Sequence, residues 1–154
     1  MKRAVLAEEA HIVNILPPVD INGGAVESDY FSMKESAHAS IILTLGVTGA
    51  ASTVTLFESD DAAGTTETAI AFSVYKEETA AGDTLGARTA VAAAGFATST
   101  ENSITYVIEV DACDLTDGYP YLVLKLSDPE VATLVSAVAV LSGNRYAPAG
   151  TQIV

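Results

Sequence analysis

This chain of 154 residues has one cysteine, no tryptophan, two histidines and only seven lysines and arginines. Each shortage removes a class of protein. Cys113 has no second cysteine to pair with, so a disulfide-stapled secreted scaffold is excluded and a reducing compartment fits. Cys113 also sits in an acidic stretch, which disfavours its thiolate and hence nucleophilic use. His11 and His38 lie in no recognisable motif, and two histidines do not specify a zinc site without carboxylate help. Without tryptophan, only Tyr and Phe remain to stack on a sugar. No Gly-x-Gly-x-x-Gly or Walker loop is present, so no nucleotide site is read, and no cofactor is expected. The longest near-apolar run, residues 131–141, is too short to span a bilayer and contains Thr133 and Ser136. Met1-Lys2-Arg3 opens like a signal peptide, but Glu8 and Glu9 interrupt the apolar stretch that should follow, and none is read.

Basic charge is the scarcest resource. Twenty carboxylates stand against seven cations, for a formal net charge of −13. There is no Lys or Arg between Arg88 and Lys125, and Lys76 is the lone cation of the carboxylate-rich residues 58–87. Phosphate binding needs clustered Lys and Arg, so a nucleic-acid partner is not expected. An anionic membrane surface is disfavoured for the same reason. Such acidity suits solubility at high local concentration, or a complementary basic partner.

What the chain does have is alternation. In Ala69-Ile70-Ala71-Phe72-Ser73-Val74-Tyr75, Ile70, Phe72 and Val74 fall on one side. A side-chain period of two predicts strands with one buried face. The same pattern recurs at residues 38–45, 53–57, 104–110 and 121–126, with turn residues between. Residues 38–45 and 53–57, joined by Gly46-Val47-Thr48-Gly49, read as a β-hairpin. Tyr30-Phe31-Ser32-Met33 reads as a short strand. Residues 89–97 are alanine-rich and fit a short strand or a helical turn. At residues 134–141 the β-branched Val135, Val138 and Val140 favour a strand, although Asp128-Pro129-Glu130 could cap a helix. Ser142-Gly143 is expected to end it.

The first 24 residues read differently. Residues 4–10 could make two helical turns, His11 to Leu16 a strand, and Pro17-Pro18 its end. This stretch looks like an arm that either completes a sheet or reaches to a neighbour. The expected organisation is an N-terminal arm at 1–24, a β-sandwich domain at 25–147 and a C-terminal tail at 148–154. About eight or nine turn-spaced strands and no long helix predict an all-β antiparallel β-sandwich, jelly-roll-like, with an extended N-terminal arm.

Candidate chemistry is sparse, and no enzyme is expected. Asp111, Asp114 and Asp117, ending at Gly118, could present oxygen to Ca²⁺, but the spacing is not that of an EF-hand. A solvated turn with Asp accepting backbone hydrogen bonds is the plainer account. Asp60-Asp61 and Glu77-Glu78 are adjacent pairs, and neighbours on a strand point to opposite faces. Neither forms a shared-proton dyad by itself.

Several stretches resemble a family of small tailed-phage structural proteins. They are Ile12-Val13-Asn14-Ile15-Leu16-Pro17-Pro18-Val19-Asp20-Ile21, Asp29-Tyr30-Phe31-Ser32-Met33-Lys34, His38-Ala39-Ser40-Ile41-Ile42, Gly82-Asp83-Thr84-Leu85-Gly86-Ala87, Gly118-Tyr119-Pro120-Tyr121 and residues 136–143 with Arg145-Tyr146. The resemblance spans residues 12–147. It implies a virion protein, and more specifically a capsid decoration or cement protein that bridges major capsid subunits as a homodimer or homotrimer. The implied location is the capsid exterior, with host cytoplasm during assembly. No motif of the resemblance carries a catalytic residue. The expected contact residues are Lys2, Arg3, His11, Ile12, Ile15, Arg145 and Tyr146, because three of the seven cations lie near the termini, where chains can reach out. Two other readings stay open. One is a host-surface or glycan-binding module of a tail fibre or spike, with Tyr30, Tyr106, Tyr119, Tyr121 and Tyr146 as a sugar platform. The other is a tail or head-completion protein.

Overall fold

The computed structural model describes residues 5–77 and 86–144. These form twelve strands: β1 (His11–Asp20), β2 (Val26–Glu27), β3 (Phe31–Ser32), β4 (Ser36–Thr48), β5 (Thr53–Ser59), β6 (Glu67–Ile70), β7 (Phe72–Glu77), β8 (Thr89–Val91), β9 (Phe96–Ala97), β10 (Ile104–Asp111), β11 (Tyr121–Leu126) and β12 (Thr133–Asn144). One helical turn, α1 (Leu6–Glu9), precedes them, shorter than the two turns expected. The first sheet runs β1-β12-β4-β10-β7-β8. The second runs β2-β11-β5-β6, with β3 also on β11 and β9 also on β5. Every pairing is antiparallel, as the sequence predicted.

Alternation builds the core. Ala39, Ile41, Leu43 and Leu45 of β4 are fully buried, and Ile104, Tyr106, Ile108 and Val110 of β10 lie beside them. They pack against Val54 and Leu56 of β5 and Leu122, Leu124 and Leu126 of β11. At about 1.5–3 kcal/mol per buried aliphatic side chain, this interior is the main stabilising term. Phe96 packs edge-on to Phe72 (ring centroids 6.1 Å) and tilted on Tyr106 (5.1 Å).

Four local expectations are corrected. Residues 38–45 and 53–57 are not a hairpin, because β4 belongs to the first sheet and β5 to the second. The link between them is held by the second sheet's lead-ins: Ser52 Oγ donates to Ser127 O (2.6 Å) and Thr98 N to Ser52 O (2.8 Å). The expected turn at residues 46–49 is instead the end of β4. There Gly46 and Val47 bulge opposite Leu134, and a Cβ on Gly46 would sit 3.2 Å from Leu134 Cβ. The clean alternation of residues 69–75 belongs to two strands, since the chain changes sheets at Ala71. Residues 89–97 resolve into β8 and β9, separated by a turn.

The N-terminal stretch completes a sheet. β1 pairs with β12 from His11↔Leu141 to Asp20↔Leu134 and continues through Pro17-Pro18. Proline is tolerated because β1 is an edge strand, so a missing N–H costs no ladder bond, and two register shifts absorb the change. Of the two roles open to the N-terminal arm, residues 11–20 take the first and form an edge strand of the sandwich. The tail expected at 148–154 lies outside the described residues. β12 also runs past Ser142-Gly143, with Gly143 at φ +66° facing Ala37.

Candidate interaction surface

The outward positions of the first sheet follow from the inward ones. Because Ala39, Ile41 and Leu43 face the core, His38, Ser40, Ile42 and Thr44 face away. Register carries this across the sheet. One row reads Ile12–Val140–Ser40–Glu109, the next Asn14–Val138–Ile42–Val107. The surface thus has an aliphatic half on β1, β12 and β4 and a charged end on β10. Ile12 is 47% exposed, Ile42 37% and Leu134 46%.

At the charged end His38 stands between two carboxylates of β10. Its Nδ1 lies 2.7 Å from Asp111 Oδ1 and its Nε2 2.6 Å from Glu109 Oε2. Ser40 Oγ donates to the same Glu109 oxygen at 2.7 Å. The group contains serine, histidine and carboxylate, but its geometry is a clamp. An imidazolium donating from both nitrogens has no lone pair left to take a proton from Ser40. Partial burial alone would lower the His38 pKa, but the hydrogen bonds and charges of Asp111 and Glu109 outweigh it, and the net direction is up.

The folded protein therefore holds this proton more tightly than the unfolded chain does. The resulting stabilisation is complete below the ordinary histidine value of about 6.5 and is lost as pH rises through the raised folded value. Thermal midpoints taken from about pH 6 to about pH 9 should fall more for the wild type than for His38→Gln. Parallel profiles would remove the clamp from the stability account.

Asp111 is thus committed to His38. The rest of its loop is a 3-10 turn (Ala112–Asp114) followed by a segment pinned by Glu58, which is only 1% exposed and accepts the Thr116 N–H at 2.7 Å. Among the described residues, no group of three His, Cys, Asp or Glu side chains is placed to hold a metal ion. Asp114 instead lines an open groove of about 470 Å³ with Phe72, Arg88, Glu109 and His38.

The opposite face of the sandwich is polar. Lys125 Nζ bonds Glu67 (2.6 Å) and Glu27 (2.9 Å) above the Phe57 ring, and Tyr30 Oη donates to Glu67. The bond to Glu67, then burial, pushes the Tyr30 pKa up to about 12. The five-tyrosine sugar platform is not assembled. Tyr106 is buried in the core, where its hydroxyl accepts the Ser99 N–H, and Tyr121 sits under Lys34 Nζ. Tyr146 lies outside the described residues.

Of the expected contact residues, His11 and Ile12 are exposed at the start of β1. Ile15 is corrected to a core residue: it is fully buried at a register shift, and its carbonyl accepts the Asp29 N–H at 2.7 Å. It has no surface left to offer a partner. Lys2, Arg3, Arg145 and Tyr146 lie outside the described residues. The aliphatic half-face was missed. Its signal was the lack of alternation in residues 134–141, where both faces of one strand are apolar.

No protein-family model matches the sequence. No curated protein matches it either. Among solved structures, the chain has a distant likeness to the SPBc2 prophage-derived protein YomS, at 9% identity and a TM-score of 0.40, over 83% of this chain and 95% of that one. The likeness is too distant to carry an argument about function.

Proposed function

We propose that this is a structural virion protein that decorates a tailed-phage capsid and stabilises it by bridging major capsid subunits. The reading starts from the phage-protein resemblance of residues 12–147. One observation carries it further. β1 and β12 are neighbours, with His11 opposite Leu141, so the described chain enters and leaves the sandwich at the same end. Lys2, Arg3 and Arg145, three of seven cations, are therefore tethered to one end of an acidic body. A rigid block with two cation-bearing segments at one end is suited to spanning adjacent subunits, and many weak copies on a symmetric shell gain avidity.

The test is co-sedimentation with empty capsids that lack this protein. Three exposed charge contacts at about 0.5 kcal/mol each amount to about tenfold in affinity. A chain cut to residues 10–144 should bind about tenfold more weakly than the full chain, and added salt should weaken the full chain's binding. Binding by the cut chain equal to that of the full chain would reject the termini as the contact. No capsid binding by the full chain would reject the reading.

A further inference from the structure

β12 is apolar on both sides. Val135, Ala137, Ala139 and Leu141 fill the core, while Leu134, Val138 and Val140 face outward with only Ser136 among them. In an antiparallel sheet with one wet face, the outward positions are normally polar; a strand apolar on both faces is covered on both. The neighbouring strands extend the patch with Ile42 and Ile12.

Charge decides what covers it. On β1, β12 and β4 the two central rows hold Ile12, Val140, Ser40, Asn14, Val138 and Ile42, without one ionisable side chain, in a chain that carries twenty carboxylates. A basic partner would find nothing there to pair with. A second copy of the chain brings its own net charge of −13, so it can approach closely only through a region free of carboxylates. Asp20 and the Glu109–Asp111 pair lie at the margins, and both are engaged within the chain, Asp20 by the Thr133 N–H and the β10 pair by His38. Lateral pairing at the β1 edge, the edge that borders this patch, is blocked because Pro17-Pro18 and the register shifts blunt it. Stacking of face on face is the mode left.

We propose that the outer face of β1, β12 and β4 is where two copies of this chain pack sheet against sheet about a twofold axis. An isologous contact centred on β12 sets Val138 and Ile42 against their own counterparts. With strands about 4.8 Å apart and a rise of about 3.3 Å per residue, these three strands over seven residues give a footprint of roughly 330 Å² per copy. That is roughly 670 Å² in all, below the roughly 1,000 Å² of a stable specific interface, so the association is weak, transient and concentration-dependent. The inference assigns a surface to the self-association that the family resemblance implies as a homodimer or homotrimer, and it does not rest on capsid binding.

The test is sedimentation equilibrium of the full chain from roughly 1 μM to 1 mM. A monomer–dimer equilibrium should appear and should tighten with added salt, which screens the repulsion between two acidic copies. The triple variant Ile12→Thr, Ile42→Thr, Val138→Thr keeps β-branched side chains on the face and should stay monomeric with an unchanged far-ultraviolet spectrum. Should that variant fail to fold, Ser136→Glu, which removes no aliphatic group, should weaken association at least about tenfold. A chain that is monomeric throughout, or a dimer that is untouched by these substitutions or weakened by salt, overturns the proposal. So does a chain ended at Asn144 that dimerises where the full chain does not, since the face would then belong to the chain's own C-terminal segment.

Discussion

Replacing Gly95 by alanine should destabilise the fold by about 3–5 kcal/mol, as much as a large core truncation. Gly95 closes the turn between β8 and β9, donating its N–H to Ala92 O at 2.8 Å. Its φ is +82°, in the left-handed region that costs an L-residue roughly 1–2 kcal/mol. The larger part is steric. A Cβ would stand 2.1 Å from Val54 O and 2.7 Å from Thr55 Cγ2. Val54 is a paired residue of a central strand, so its carbonyl cannot withdraw without breaking the ladder to β11 or β9. The next residue is Phe96, which joins Phe72 and Tyr106 in the aromatic cluster, so relief by moving the turn would open the core. Two companion variants separate the terms by denaturant titration. Gly118→Ala shares the positive φ (+88°) but meets nothing within 4 Å, and should cost only the conformational roughly 1–2 kcal/mol. Gly24→Ala has neither feature and should stay within about 0.5 kcal/mol of wild type. If Gly95→Ala costs no more than Gly118→Ala, the close approach of the turn to β5 is not as described.

That turn shows where sequence reasoning stops. Alternation names the face of each strand, because side-chain direction is a local property of an extended backbone. It told that Ile41, Leu43, Ile108 and Leu124 point inward, and they do. It does not name the partner strand, since any two amphipathic strands offer the same pattern. Hence β4 and β5, adjacent in sequence, read as a hairpin, although β4 pairs across tens of residues with β10 and β12, and β5 with β11. The His38 clamp was illegible for the same reason: its carboxylates lie 71 and 73 residues away and become neighbours only through the β4–β10 register. Gly95 itself sat in an alanine-rich stretch with no period to read, and its necessity comes from Val54, far away in the chain. The aliphatic outer face left a signal that alternation alone does not single out. Residues 134–141 are apolar on both sides, but so are Ile12-Val13 and Ile15-Leu16 of β1 and Leu122-Val123-Leu124 of β11, so the run marks a second covered face only once the register shows which side is outward.

Deleting residues 1–16 should unfold the protein or drive it to aggregate, whereas deleting residues 1–9 should leave it folded with a thermal midpoint within about 2–4 °C of the full chain. The contrast follows from where β1 begins. Among the described residues before Ala10, Leu6–Glu9 form one turn of helix, and Val5 and Leu6 are solvent-exposed. Residues 11–16 are half of an edge strand, and among them Ile15 and Leu16 are 0% and 5% exposed. Losing both removes about 3–6 kcal/mol of burial before any cavity is counted, against a total stability of about 5–15 kcal/mol for a domain. The deletion also strips β12 of its partner from His11↔Leu141 to Leu16↔Ala137, leaving a long, apolar strand as an open edge. Such an edge is a template for pairing with other chains, and β12 carries no charge between Leu134 and Leu141 to discourage it. The Asp29 N–H would lose its acceptor, the Ile15 carbonyl, and with it one tie between β1 and the approach to β3. Circular dichroism and light scattering on the two truncations decide the matter. A soluble, β-rich chain lacking residues 1–16 would return the first strand to the status of a detachable arm, and capsid-binding tests could then be run on it directly.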